Sequence, residues 1–252
     1  MSVSKFMQGR IAERLDICDD LAIFHVEPDS EFTFIPGQFA TLGLECDGKL
    51  VERAYSIASS PYEPLLEFFI ERVPDGCLTP SLFNLATGDS VSIRRRFSGH
   101  FVLDTNARTH HLMVATVTGI APYVSVLRTH AADLHNGRAT ASLRFTVLHG
   151  ASRSEEFGAY RSELEQMSKE IGMVTYVPTV SRWHEDPTWT GELGRVEDVL
   201  RKYCDGLPLR EPELAAYLCG HPQMIANARG ILQRSRVATE RIHEEKYFTI
   251  KS

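Results

Sequence analysis

The sequence lacks the cysteine spacing of a metal or cluster site. Its 252 residues include five cysteines, and no two of them form a CxxC pair. Zinc sites and four-cysteine iron–sulfur clusters use such pairs, so neither is expected. The histidines show no metal-ligand spacing either, and we interpret His100, His149 and His221 as surface or packing residues. An odd number of widely spaced cysteines also argues against a disulfide framework and for a reducing compartment.

Long apolar runs and an excess of positive charge are lacking as well. No stretch is long enough for a transmembrane helix, and the first residues lack the apolar core of a signal peptide. The net charge of −6 and the pI near 5.9 argue against nucleic-acid binding by the molecule as a whole. We therefore expect a soluble, cytoplasmic protein. With 43% hydrophobic and 24% charged residues, the chain suits one large or two medium globular domains.

Short β-forming segments fill the first 105 residues. Strands are predicted at 21–27, 37–45, 65–73 and 89–95, and turn signals such as Pro36-Gly37 and Asp47-Gly48 separate them. Strands of this length and spacing predict an antiparallel β-barrel or sandwich, with a short helix over residues 78–86.

From residue 106 onward, apolar strands alternate with helical patterns. Strands are predicted at 112–117, 143–150, 173–180 and 214–220, and helices at 121–134, 154–170, 195–203 and 222–235. This alternation predicts a parallel sheet with helices on both faces, whose ligands lie beyond the carboxyl ends of the strands. We therefore predict two domains, residues 1–105 and residues 106–252. The last segment, IHEEKYFTIKS, is unusually aromatic for a chain end and is expected to pack against something.

One strand-like stretch, VERAYSIASS at residues 51–60, carries an unusual pair of side chains. Arg53 and Tyr55 are two residues apart, so they point to the same face of a strand. A buried guanidinium needs a partner. Either this face is exposed and the pattern incidental, or an anionic, flat group lies against it.

Two glycine-containing turns follow predicted parallel strands. VTGIAPY places Thr118 and Gly119 where a phosphate or ring edge can approach, although the same turn could serve only to join strand and helix. Cys219 and Gly220 end the last parallel strand. They should face the same crevice as Thr118, and the glycine allows a ligand close to the backbone.

Three arginines also follow predicted parallel strands. Arg153, Arg182 and Arg195 lie in successive strand-end loops, so they should converge on one edge of the sheet. Arginine at such a position can bind the 2′-phosphate of NADP, whereas NAD sites favour an acid there. Single surface arginines are common, but three in strand-end loops favour the nucleotide site over chance.

Taken in order, six motifs resemble those of the ferredoxin–NADP reductase family, specifically its bacterial ferredoxin/flavodoxin reductase branch. They are RAYS (53–56), PDGCLTPSL (74–82), FSGHF (97–101), VTGIAPY (117–123), LCGHPQM (218–224) and EKYF (245–248). The resemblance covers nearly the whole chain. It departs from the family at Val117, where glycine is frequent, and at Cys77, where proline is frequent.

The resemblance implies a FAD-binding β-barrel followed by an NADP-binding α/β domain. Arg53 would pair with the FAD pyrophosphate, Tyr55 would stack on the isoalloxazine, and Ser56 would hydrogen-bond near flavin N5. The segment Gly76–Thr79 would supply amides and a hydroxyl to the phosphates. The implied FAD contacts also include Ala54, Ile70, Arg72 and Val73, together with Cys77, Leu78 and Thr79 of that segment.

The same resemblance implies the NADP contacts. Arg153, Arg182 and Arg195 match the residues that hold the 2′-phosphate. Thr118, Cys219 and Gly220 would border the nicotinamide. Tyr247 would cover the second flavin face, and Phe248 would stack on the adenine. The implied catalytic residues are Ser56, Cys219 and Tyr247, and no metal is implied.

As an enzyme of this family, the chain would act as a monomer that exchanges hydride with NADP(H) and single electrons with a small acidic ferredoxin or flavodoxin. Arg94-Arg95-Arg96 could dock that carrier or could simply be solvated. Three other interpretations stay open. They are the reductase component of an oxygenase system with a separate carrier, a flavin-free dehydrogenase, and a non-catalytic nucleotide sensor on the same fold.

Overall fold

A computed structural model describes residues 4–104, 109–139, 143–207, 209 and 213–247. The chain divides into two compact units. The N-terminal unit comprises Met1–Leu103 together with Ala121–His130, and the C-terminal unit comprises Asp104–Ile120 together with Ala131–Ser252. Among the described residues, no helix combines the length and apolar character needed to cross a bilayer.

The N-terminal unit is built on one antiparallel sheet. Its strands are β1 (Phe6–Cys18), β2 (Leu21–Pro28), β3 (Phe39–Cys46), β4 (Lys49–Ser56), β5 (Leu66–Glu71) and β6 (Ser90–Arg94), and helix α1 (Leu78–Phe83) lies between the last two. The spatial order is β4-β3-β6-β1-β2-β5. An antiparallel bridge between Ile57 and Phe68 joins the chain just after β4 to β5, so the sheet curls into a barrel.

Alternating side chains fill this barrel. In β3, Ala40 and Leu42 are buried, as expected for a strand with one face toward the core. All residues from Leu66 to Ile70 are buried in β5. By contrast, most of β4 is exposed or half-buried, although its sequence resembles a buried strand. Strand β4 lies at one end of the strand order.

The C-terminal unit is built on one parallel sheet with helices. Its strands are β7 (His110–Thr116), β8 (Arg144–Ala151), β9 (Val174–Val180), β10 (Glu192–Leu193), β11 (Leu214–Gly220) and β12 (Ile242–Lys246), and the helices are α2 (Ala121–His135), α3 (Tyr160–Glu170), α4 (Val196–Tyr203) and α5 (Pro222–Arg234). The order is β10-β9-β8-β7-β11-β12. The first ten residues of α2 belong to the N-terminal unit.

Strand register aligns the carboxyl ends of the parallel strands. Thr116 of β7 pairs with Gly150 of β8, and Gly150 pairs with Thr179 of β9. On the other side, Ala115 of β7 pairs with Cys219 of β11. The predicted fold class, an antiparallel barrel followed by a parallel α/β sheet, is therefore confirmed.

One sequence-based prediction of a helix needs correction. A single helix was expected over residues 154–170, but a 3-10 turn covers Ser154–Phe157 and α3 begins only at Tyr160. Gly158, with φ of +55°, separates the two because a helix cannot continue through a left-handed residue. The helix expected from Ala121 is confirmed, since α2 begins at that residue, directly after a 3-10 turn over Val117–Ile120.

Candidate functional site

Strand β4 carries the first group of candidate residues in the N-terminal unit. It pairs with β3 alone within its sheet, so it is an edge strand with main-chain groups available to a ligand. Arg53 and Ala54 are exposed, and the Arg53 guanidinium donates to the carbonyl of Glu52 at 2.8 Å. The Tyr55 ring packs against the barrel core, and burial raises the pKa of its hydroxyl. Ser56 is buried.

A tight turn before α1 carries the second group. The Thr79 hydroxyl accepts from the amide of Val73 at 2.9 Å, and the Gly76 amide donates to the Val73 carbonyl, also at 2.9 Å. This turn leaves Arg72, Val73 and Cys77 exposed, whereas Leu78 and Thr79 are buried. Ile70, which was also predicted to contact FAD, is buried in the barrel core.

The structure brings these two groups together. A hydrogen bond with Cys46 raises the pKa of the Cys77 thiol to about 11, and Arg53 lies near enough to oppose that shift. An exposed guanidinium, a half-buried aromatic ring, an open strand edge and a turn with a hydroxyl therefore share one region. This donor set fits a ligand that has both a planar ring system and a pyrophosphate, as FAD has.

The carboxyl ends of β7 and β11 carry the third group, in the C-terminal unit. The Tyr247 hydroxyl donates to the Thr118 carbonyl at 3.3 Å. The same hydroxyl is hydrogen-bonded to the thiol of Cys219. Burial raises the pKa of Cys219, so its thiol is neutral. The backbone is very close here, because a Cβ on Gly119 would lie 2.7 Å from the carbonyl carbon of Cys219.

Four predicted residues, Thr118, Cys219, Gly220 and Tyr247, are thus assembled at one edge. Thr116, for which no sequence pattern predicted a role, also contributes to this edge, because its hydroxyl accepts from the amide of His221 at 2.9 Å. The TG dipeptide in VTGIAP was the available signal for the close approach at Gly119. Phe248 lies outside the described residues.

Two of the three candidate arginines meet on one acid. Arg153 Nε lies 2.7 Å from Glu185 Oε2, and Arg182 Nη1 lies 3.9 Å from Glu185 Oε1. The Arg153 hydrogen bond, followed by the charges of Arg153, Arg182 and His184, holds the pKa of Glu185 below its usual value. Arg195 is exposed just before α4. Among the described residues, Glu185 pairs with Arg153 and Arg182 and not with Arg195.

The arginine run at the end of β6 is largely engaged in the fold. The Arg94 guanidinium forms a two-point ion pair with the carboxylate of Glu52. Arg95 donates to the Ser4 carbonyl at 3.1 Å and to the Ser30 hydroxyl at 3.0 Å. Only Arg96 keeps an exposed side chain with no such contact described.

No group of three or more His, Cys, Asp or Glu side chains is arranged to hold a metal within the ranges that the structure describes. The residues predicted to hold FAD thus lie in the N-terminal unit, and those predicted to hold the nucleotide lie at the strand ends and loops of the C-terminal unit. Their individual roles stay predictions.

Comparison with known proteins matches each unit to an oxidoreductase domain. Residues 8–102 match the model of the oxidoreductase FAD-binding domain, and residues 113–230 match that of the oxidoreductase NAD-binding domain. The flavodoxin/ferredoxin–NADP reductase of Escherichia coli K12 is 35% identical over 204 residues, which cover 78% of this chain and 77% of that protein. The ferredoxin–NADP reductase of Pseudomonas aeruginosa is 33% identical over 230 residues, which cover 85% and 84%.

A solved structure shows the same fold. The ferredoxin NADP+ reductase of Neisseria gonorrhoeae, crystallised with FAD and NADP, superimposes with a TM-score of 0.82 at 23% identity, covering 98% of this chain and all of that one.

The electron transfer component of xylene/toluene monooxygenase from Pseudomonas putida is a further relative by sequence. It is 26% identical over 94% of this chain, but the match covers only 64% of that protein.

Proposed function

Since this chain belongs to the flavodoxin/ferredoxin–NADP reductase family, we propose that it is a FAD-dependent enzyme that exchanges hydride with NADP(H) and single electrons with a ferredoxin or flavodoxin. The observation that carries the proposal is the 35% identity to a reductase of that name over 77% of its length. The exposed Arg53 and the Val73–Thr79 turn, brought together beside the ring of Tyr55, support the cofactor.

In this proposal residues 1–105 hold FAD. Bound FAD supplies the chemistry, because a flavin can take up two electrons together and release them singly. Arg53 neutralises the pyrophosphate. The segment Gly76–Thr79 is the second proposed phosphate contact, and binding there requires the Gly76 amide and the Thr79 hydroxyl to share or exchange their present bonds to Val73. Tyr55 covers one face of the ring system and excludes water. Ser56 offers a hydroxyl from a buried position.

Residues 106–252 hold the nicotinamide nucleotide. Arg153 and Arg182 are the proposed ligands of the 2′-phosphate, with Arg195 as the third. Thr118, Cys219, Gly220 and Tyr247 border the nicotinamide. Cys219 acts there as a neutral thiol, since burial raises its pKa. Ser56, Cys219 and Tyr247 remain the proposed catalytic residues, and Phe248 is the proposed adenine contact.

The partner is proposed to be a small acidic electron carrier, and the enzyme is proposed to act as a cytoplasmic monomer. The match to a monooxygenase component keeps the oxygenase alternative in view. The match covers 64% of that protein, and in this alternative the chain passes electrons to a separate carrier. A nucleotide sensor on the same fold is the other alternative, and it requires that no acceptor be reduced.

The test is NADPH-dependent reduction of purified ferredoxin and flavodoxin, with ferricyanide as a non-physiological acceptor. The proposal expects reduction of all three by the wild type. Arg153→Ala should slow reduction with NADPH and leave the NADH reaction unchanged. A matched control is Arg138→Ala, another exposed arginine of the C-terminal unit, which pairs with Asp133. Reduction of ferricyanide alone would favour a different carrier, and reduction of none would favour the sensor.

A further inference from the structure

Val117 has a strained backbone. It is the first residue of the 3-10 turn Val117–Ile120, which is proposed to border the nicotinamide. Its φ is +41°, in the left-handed region, which a β-branched residue rarely adopts. Such a conformation persists only where the surroundings hold it in place, and it is frequent at ligand-binding sites. Val117 also stands where the resembling family often has glycine, a residue that takes this conformation without strain.

His149 supplies a contact that holds this backbone. It lies on β8 in register with Ala115 of β7, and its side chain is fully buried. Its Nε2 lies 2.9 Å from the carbonyl oxygen of Val117, and its Nδ1 lies 3.1 Å from the hydroxyl of Tyr176. The ring packs edge-on against Phe157, with 4.9 Å between centroids.

These two hydrogen bonds fix the protonation of the imidazole. A carbonyl oxygen only accepts, so Nε2 must carry the proton and donate it to Val117. Nδ1 then has a lone pair that accepts from the Tyr176 hydroxyl. Burial lowers the pKa of His149 to about 4, which keeps the ring neutral near pH 7. The imidazole is therefore locked in one tautomer and one orientation.

Holding the Val117 carbonyl also fixes the next amide. The C=O and N–H of a trans peptide point in opposite directions, and the described chain has no cis peptide bond. The Thr118 amide therefore points away from His149. The Thr118 carbonyl accepts from Tyr247, so both sides of this residue are set by hydrogen bonds.

We propose that His149 is a positioning residue, which holds the Val117 carbonyl and thereby keeps Thr118 and Gly119 in the orientation that receives the nicotinamide. The proposal rests on the proposed function, since it names what the turn binds. It differs from a packing role because it predicts a defect confined to the nicotinamide end of the nucleotide.

The test uses FAD-loaded enzyme with His149→Leu, His149→Gln and the double variant His149→Leu with Val117→Gly. Loss of the hydrogen bond lets the strained turn relax, so His149→Leu should lower kcat/KM for NADPH about tenfold or more. Affinity for adenosine 2′,5′-bisphosphate should not change, since that ligand lacks nicotinamide. Glutamine can donate to the same carbonyl and should restore much of the rate. Glycine at 117 removes the strain and should do likewise.

His111→Leu is the matched control. His111 is equally buried in the neighbouring strand β7, and it stacks on Phe145 at the opposite end of the sheet. It should change kcat/KM by less than about twofold. Equal losses in His111→Leu and His149→Leu, or no rescue by Val117→Gly, would overturn the proposal.

A second measurement needs neither variant nor activity. Long-range proton–nitrogen correlation spectra of the unmodified protein should show His149 with its proton on Nε2, and a proton on Nδ1 would contradict the proposed contact. If the wild type failed to oxidise NADPH while the Nε2 tautomer was observed, the proposed function would fail and the hold on Val117 would stand.

Discussion

Replacement of Gly220 by alanine probes how closely β7 and β11 approach each other at their carboxyl ends, where the nicotinamide is proposed to bind. Gly220 has φ of +121°, and a Cβ there would collide with the Thr116 hydroxyl and lie 3.0 Å from the Thr116 carbonyl oxygen. An unfavourable φ costs about 1–3 kcal/mol, and overpacking against backbone costs about 1–3 kcal/mol more. Gly220→Ala should therefore lower the free energy of unfolding by roughly 2–6 kcal/mol.

Three other glycines of the C-terminal unit separate the two causes. Gly194 has φ of +106° but no atom within 4 Å of its would-be Cβ, so alanine there should show only the backbone cost of about 1–3 kcal/mol. Gly119 lacks the positive φ but would clash with Cys219, so alanine should show only the overpacking cost of about 1–3 kcal/mol. Gly172 has neither feature, and its change should stay within about 0.5 kcal/mol.

The assay is urea-induced unfolding of the four alanine variants and the wild type, followed by circular dichroism. The structure predicts the order of stability Gly172→Ala highest, Gly194→Ala and Gly119→Ala intermediate, and Gly220→Ala lowest. If Gly220→Ala lowered the free energy of unfolding no more than Gly194→Ala does, the close approach of Gly220 to Thr116 would be contradicted. Indistinguishable stabilities for the Gly119 and Gly172 variants would refute the contact between the two strand ends.

Other predictions concern the ligand sites and the pH response. Glu185→Gln should strengthen binding of adenosine 2′,5′-bisphosphate, because the acid that now pairs with Arg153 would no longer compete with the phosphate. An unchanged affinity by calorimetry would contradict this, and 5′-AMP, which lacks the 2′-phosphate, is the control ligand. Tyr55→Ala should raise the Kd for FAD about tenfold, as expected for loss of a stacked ring, whereas Tyr55→Phe should stay within about twofold in a fluorescence titration; equal effects would exclude stacking. The Glu67 hydrogen bond raises the pKa of His25 above 6.5, so the folded state gains stability below that pH and loses it as the pH rises through the raised value. Thermal melts of the wild type should show this pH-dependent loss of stability, and those of His25→Gln should not.

The division into two folds was predictable because each half repeats one pattern. Alternating buried residues mark strands such as β3, and apolar strands followed by helices mark the parallel sheet. Strand β1 was missed although it is the longest in the barrel. Its pattern of buried Met7, Gly9 and Ile11 is interrupted by register shifts after Ile11 and after Asp16, which break the alternation that sequence reading relies on. Strand β10, with two residues, is too short to show a period.

The candidate site was predictable where the fold alone positions residues. Parallel strands place their carboxyl ends together, so Thr118, Cys219 and Gly220 could be assigned to one edge from the strand pattern. Contacts between side chains from different elements were not predictable. Glu185 beside Arg153 and His149 beside Val117 depend on loop conformation and on packing across strands, which leave no local pattern in the sequence.

We propose above all that this protein binds FAD and reduces it with NADPH in preference to NADH. The visible absorption spectrum of the purified, FAD-supplemented protein, recorded before and after anaerobic addition of each nucleotide, tests this. We expect a yellow protein that NADPH bleaches quickly and NADH slowly. Equal bleaching by both nucleotides would remove the 2′-phosphate assignment of Arg153 and Arg182, and a colourless protein that cannot be loaded with FAD would contradict the claim itself.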